Sequence, residues 1–138
     1  MAEAIFRSFF ADSDTKPQIA SAGIQAFAGD EASENAILAM QERGVELRRH
    51  RSRLLSPYLL DEADIIITMT EVHKKFLLLK NAALADKIFS MAEIGGKVIS
   101  DPYGGDLRTY LQCAEEIDAA LQKLYQQLQE KKDQGNEA

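Results

Sequence analysis

The apolar positions of the chain change their period several times, and each change marks an element. Met1, Ile5 and Phe9 recur at i, i+4, with Ala2, Phe6 and Phe10 beside them, which predicts a helix over residues 1–11 with a broad buried face. After Pro17, the run Ile19-Ala20-Ser21-Ala22-Gly23-Ile24 reads as a short buried strand. Ala36, Ile37 and Met40 return to helical spacing, with Asp30 as N-cap and Gly44 as the stop. Ser56-Pro57 has the form of an N-cap followed by a first-turn proline, and predicts a short helix. Asp64-Ile65-Ile66-Ile67-Thr68-Met69 is a continuous β-branched run, the pattern of a parallel strand covered on both faces. Thr70 is placed to cap a helix from Glu71 to Lys80, and Lys87-Ile88-Phe89-Ser90-Met91 reads as another buried strand. Leu107, Leu111, Ala114, Ile117, Leu121 and Leu124 mark a long amphipathic helix that reaches Leu128.

This alternation predicts an α/β fold, a doubly wound parallel sheet flanked by helices. Three strands are expected, few for such a fold. Residues 1–128 are expected to form the single domain, and the polar run 129–138 a frayed, flexible tail.

Composition narrows the partners. The net charge of −6 argues against general binding to nucleic acid or to a membrane surface. No apolar run is long enough to cross a bilayer, and Glu3 and Arg7 interrupt what would otherwise resemble a signal peptide. A single cysteine, Cys113, leaves no internal disulfide and fits a reducing, cytoplasmic setting. His50 and His73 make no zinc spacing with it, so no metal site is expected.

The stretch that carries candidate chemistry is Ser100-Asp101-Pro102-Tyr103-Gly104-Gly105, between the last strand and the long helix. Pro102 fixes its own φ and biases Asp101 toward an extended conformation, while the paired glycines permit a sharp turn. A carboxylate so held at the carboxyl end of a sheet can act as a general acid, and an Asp-Pro pair is equally a turn starter. The cluster Arg48, Arg49, His50, Arg51 and Arg53 reads as a solvated connection or as a binding patch. His73, between charged neighbours, reads as solvated. Cys113 falls on the core side of the last helix with Tyr110 and Ile117, the position of a structural thiol.

Five segments together carry a resemblance: Met-Ala-Glu-Ala-Ile-Phe-Arg at 1–7, Ser-Ala-Gly at 21–23, His50, Asp-Ile-Ile-Ile-Thr-Met at 64–69 and Asp-Pro-Tyr-Gly-Gly at 101–105. In order and spacing the chain resembles the low-molecular-weight protein tyrosine phosphatase family over essentially its full length. With Thr109-Tyr110-Leu111 following, it is most similar to the bacterial branch that contains protein-arginine phosphatases. The resemblance implies that Asp101 is the general acid and later the base that activates water, and that Tyr103 walls the substrate cleft. It implies that Ser21 and His50 hydrogen-bond to the phosphate loop and hold its shape. For His50 this competes with the solvated reading, and for Ser21 with an ordinary buried strand hydroxyl. The implied substrate is a phosphotyrosine or phosphoarginine protein, handled through a phosphocysteine intermediate without any metal or organic cofactor.

Family members also carry a first strand, central in the sheet, and a Cys-x5-Arg-Ser-Pro loop directly before a segment like Met1–Arg7. Neither is found in this sequence. Neither Cys113 nor Arg7 takes the missing roles. Two expectations follow: a phosphatase chain given without its N-terminal catalytic segment and inactive alone, or a non-catalytic binding or regulatory module. Either way the incomplete sheet is expected to leave apolar surface exposed, to self-associate, or to close residues 19–24 directly against residues 65–69.

Overall fold

In the computed structural model, which describes residues 1–25 and 27–136, helices collect on both faces of a short parallel sheet. The order is α1 (Ala2–Ser8), α2 (Glu34–Glu42), α3 (Pro57–Glu62), β1 (Ile66–Thr68), α4 (Glu71–Lys80), a 3-10 turn (Ala82–Asp86), β2 (Ile88–Ser90), α5 (Met91–Gly95) and α6 (Leu107–Asn136). Among the described residues, β1 and β2 form the sheet, with Ile66, Ile67 and Thr68 opposite Ile88, Phe89 and Ser90. Alternate residues point to opposite faces of a strand. Ile67 accordingly joins the main core with α1, α2, α5 and α6, whereas Ile66 and Ile88 join a second cluster around Leu77 and Leu84.

The main core is built on α6, whose stripe Tyr110, Cys113, Ala114, Ile117, Leu121 and Leu124 is buried. Ile5 of α1, Met40 of α2 and Met91 of α5 pack into it. Small residues let the elements approach closely. A Cβ at Gly95 would stand 2.8 Å from the Ala120 side chain, and Lys123 Nζ donates to the Gly95 carbonyl at 3.0 Å, closing the end of α5. A further lysine, Lys87, donates to the carbonyls of Leu60 and Ala63 at 2.7 Å each, satisfying the orphan end of α3.

Local capping follows the sequence at Ser56 and Thr70, whose hydroxyls accept from Leu59 and His73 amides. It departs at α2. Ser33, not Asp30, is the cap, because Asp30 is engaged with Ser52 through its own amide and carbonyl. The expected buried strand at 19–24 is also corrected. Ala20, Ser21 and Ala22 are exposed, and only Gly23 makes a bridge, to Leu54. Apolar composition there is not matched by a neighbouring strand over most of its length, so the run stays extended without a ladder. The direct closure of 19–24 against 65–69 is likewise not formed; β1 pairs with β2 alone among the described residues. Finally, α6 runs on through residues 129–136, because Gln, Glu and Lys are good helix formers and no proline stops them. Residues 137–138 of the expected tail lie outside the described residues.

The Gly95 contact supplies a test. Adding a methyl near a helix end gains little propensity, while the 2.8 Å approach to Ala120 forces the α5–α6 contact apart. Gly95→Ala is expected to lose about 1–3 kcal/mol in urea unfolding; an unchanged midpoint would mean that the contact is slack.

Candidate active site

The candidate residues fall into two groups of side chains. The first is gathered by Glu3. Ser21 Oγ donates to Glu3 Oε1 at 2.9 Å, Arg7 Nη1 donates to Oε2 at 3.1 Å, and His50 Nδ1 stands 3.7 Å from Oε2. Arg7 also reaches the Ile19 carbonyl through Nη2 at 2.6 Å, which pulls the extended segment against α1. Burial pushes the Glu3 carboxyl up, but the Ser21 hydrogen bond and the Arg7 and His50 charges outweigh it and hold it below the usual range. Ser21 and His50, far apart in sequence, thus share one carboxylate. The His50 side chain is 27% exposed, with one face toward Glu3.

The second group is the Asp101 loop. Asp101 Oδ1 accepts from the Tyr103 amide at 3.0 Å, which closes the turn around Pro102. The chain then reverses through Gly104 at φ 77°, and the Gly105 amide donates to the Pro102 carbonyl at 2.8 Å. A side chain at Gly105 would run into that carbonyl and into Thr109, each at 2.9 Å. Asn35 Nδ2 donates to the Gly105 carbonyl at 3.1 Å, tying the loop to α2. Asp106 then caps α6, accepting from the Thr109 amide and hydroxyl at 2.9 and 2.8 Å. Asp101 itself is exposed, and Tyr103 is 88% exposed, standing out from the loop.

Cys113 lies beneath. Its thiol is buried, contacts the Ser100 carbonyl at 3.7 Å, and is pushed up by burial, then by Glu116 and Asp101, against the opposing Met1 amino group. A thiol so placed is a poor nucleophile. The Met1 amino group, itself pushed down by burial, feels the charges of both Glu3 and Cys113. Among the described residues no cluster of His, Cys, Asp and Glu has metal-ligand geometry.

Residues 1–134 match the family described as low molecular weight phosphotyrosine protein phosphatase. The chain belongs to that family. A protein-arginine-phosphatase of Bacillus subtilis (strain 168) is 33% identical over 132 residues, spanning 93% of this chain and 87% of the relative. A protein-arginine-phosphatase of Geobacillus stearothermophilus is 30% identical over 115 residues, 81% and 77% of the two chains. The solved arginine phosphatase from Geobacillus stearothermophilus superposes with a TM-score of 0.87 at 28% identity, covering 96% of this chain and 86% of that one. A low molecular weight protein tyrosine phosphatase from T. tengcongensis gives 0.85 at 32% identity, covering 91% and 88%. The α/β fold is the family's fold.

Within this phosphatase-family chain, the side chains that brace the candidate residues were the ones hidden in the sequence. Glu3 registered only as a charge interrupting an apolar run. Asn35 carries no local signal at all. Asp106 could have been found, because Asp three residues before Thr109 at a helix start is a capping pattern.

The Glu3 cluster has an acid signature. Its carboxyl holds a proton less tightly when folded, so its stabilisation is complete above the unfolded pKa and is lost as pH falls through the depressed folded value. Urea midpoints of the chain are expected to fall with acidification in that window. Glu3→Gln should flatten the fall, leaving the share due to Asp106 and Glu93, which the bonds from Thr109 and from Lys74 also hold down. Superimposable acid limbs for the two proteins would show that Glu3 is uncoupled from folding.

Proposed function

We propose that the chain supplies the acid arm and the supporting arm of a protein phosphatase that works through a phosphocysteine intermediate. The observation that carries this reading is the braced Asp101 loop: an exposed carboxylate, fixed by its own turn and by Asn35 and Asp106, in a chain of this family. Asp101 protonates the leaving atom as the phosphorus–oxygen or phosphorus–nitrogen bond breaks and the sulfur–phosphorus bond forms. It then takes a proton from water as water attacks phosphorus and sulfur leaves. Tyr103 stands beside it as the wall for the substrate side chain. Ser21 and His50, oriented by Glu3, support the loop that would hold the phosphoryl group.

The nucleophile is a cysteine from outside these 138 residues, since Cys113 is buried and its pKa is raised. By themselves the 138 residues are inactive. Among the described residues β1 pairs on one side only, and its other edge is the place for a strand brought with that cysteine, or for a second copy. Phosphoarginine is the class favoured by the curated relatives, with phosphotyrosine as the alternative, since the T. tengcongensis tyrosine phosphatase is 32% identical and 88% covered. The relatives named protein-arginine-phosphatase match at 30% identity or more over 77% and 87% of their length, against 71% for the tyrosine phosphatase relative from Ralstonia nicotianae. The domain is assigned to residues 1–128, Leu128 being packed against the core, with the rest outside it. No described helix is long and apolar enough to cross a membrane, and the free thiol of Cys113 supports a cytoplasmic place.

The test compares the 138 residues with the same chain preceded by the strand and Cys-x5-Arg segment of the Bacillus subtilis relative, on phosphoarginine and phosphotyrosine peptides. Only the extended chain should turn over, with phosphoarginine preferred. In it, Asp101→Asn is expected to lower kcat about 10²–10⁴-fold, while Cys113→Ser leaves kcat unchanged. Turnover by the 138 residues alone, or full activity of Asp101→Asn, would sink the proposal. A folded but inactive extended chain would turn the reading to a binding module.

A further inference from the structure

We propose that the outer face of α4 docks an acidic amphipathic segment of a partner protein. The helix has two apolar sides. Leu77 faces inward and is buried with Leu84 and Ile88. Val72, Phe76 and Leu79 occupy the opposite side at i, i+4, i+7, with Val72 73% and Leu79 88% exposed. A helix of a globular protein places polar residues on its solvent face, and large apolar residues at this spacing are what helix-on-helix recognition reads.

The charges around the stripe select the occupant. Lys75 flanks it on one side and Lys80 on the other, both exposed, and Lys80 Nζ lies 4.8 Å above the Phe76 ring. The remaining charged side chains of the helix are turned to internal partners: Glu71 accepts from Ser90, and Lys74 pairs with Glu93. The rim is therefore cationic on a chain whose net charge is −6. Two copies of α4 packed on each other would oppose lysine to lysine. An anionic membrane or a nucleic acid presents charge over an area wide enough to meet the whole acidic chain, whereas a short segment meets only the lysine rim within a Debye length. A protein segment with apolar residues on one face and carboxylates beside them satisfies both the stripe and its rim. This inference is independent of the catalytic reading.

The experiment uses the full 138-residue chain and two fluorescein-labelled peptides of about 15 residues, long enough for a helix of several turns. Both carry leucines at i, i+3, i+4 and i+7; one has glutamates beside them, the other lysines. Fluorescence anisotropy should show the glutamate peptide binding, at least about tenfold tighter than its lysine twin, with the difference shrinking as salt is raised. Leu79→Asp and the milder Leu79→Gln should abolish binding while circular-dichroism melts stay as in the parent. Lys75→Glu with Lys80→Glu should reverse the preference between peptides. Absent binding, equal affinity for both peptides, or binding that survives both Leu79 variants would overturn the proposal. So would a sedimentation dimer, or adsorption to phosphatidylglycerol vesicles, that Leu79→Gln removes, since either would put a different occupant on this face.

Discussion

The close packing of small side chains along α6 sets the distances on which the rest of the structure depends. Ala114 is fully buried and Ala120 nearly so, and Gly95 meets Ala120 with no room for a methyl group. Helices approach one another this closely only where side chains are short. Each helix brought in this way carries a piece of the site. α2, joined to α6 also by the Arg43–Asp118 ion pair, presents Asn35 to the Gly105 carbonyl. α1, seated through Phe9 and Phe10 edge-on to Tyr125, presents Glu3. A shift of α6 would move both the loop anchor and the carboxylate.

The two carboxylates of the site are used in opposite ways. Glu3 receives a hydroxyl and a guanidinium and has an imidazole beside it, so it is committed to holding other groups. Asp101 gives one oxygen to the Tyr103 amide, and its other oxygen has no protein partner among the described residues. A carboxylate with a free oxygen, on a backbone already stiffened by proline, can exchange a proton without first breaking its support. The same physical chemistry that makes Glu3 a poor proton carrier makes it a good anchor, because its held-down carboxyl stays ionised.

What the sequence made legible was what local physics decides. The caps at Ser56 and Thr70, the strand at 66–68, the amphipathic stripe of α6 and the turn at Asp101 all follow from a few adjacent residues. Residues 19–24 were misread because strand burial depends on neighbours, and an apolar run without a long neighbour stays exposed. Asp30 was misread as a cap because Ser52, far along the chain, competes for its backbone. The braces Glu3 and Asn35 act over long sequence separations, of 18 residues to Ser21 and 70 to Gly105, where no periodicity points. Asp101, Tyr103, Ser21 and His50 were reached by a joint pattern of segments rather than by any single spacing, and their neighbourhoods required the fold.

The two arms of the site are consequently held by unlike forces. The Asp101 arm rests on covalent stiffness, backbone hydrogen bonds and a helix cap, all short-range and insensitive to the charge of distant groups. In the other arm Ser21 lies on an exposed segment that lacks a ladder, and it meets the partly buried His50 through one carboxylate, with one arginine tying the segment down. Polar ties of this kind contribute little net energy each, about 0.5–1.5 kcal/mol, so the arm is held in place without being rigid. An acid that must stand ready in one position belongs on the first kind of support. Groups that adjust around a phosphate-holding loop are better served by the second. Under the proposed function, the asymmetry between the backbone-anchored and the charge-anchored parts matches the different precision that proton transfer and loop support demand.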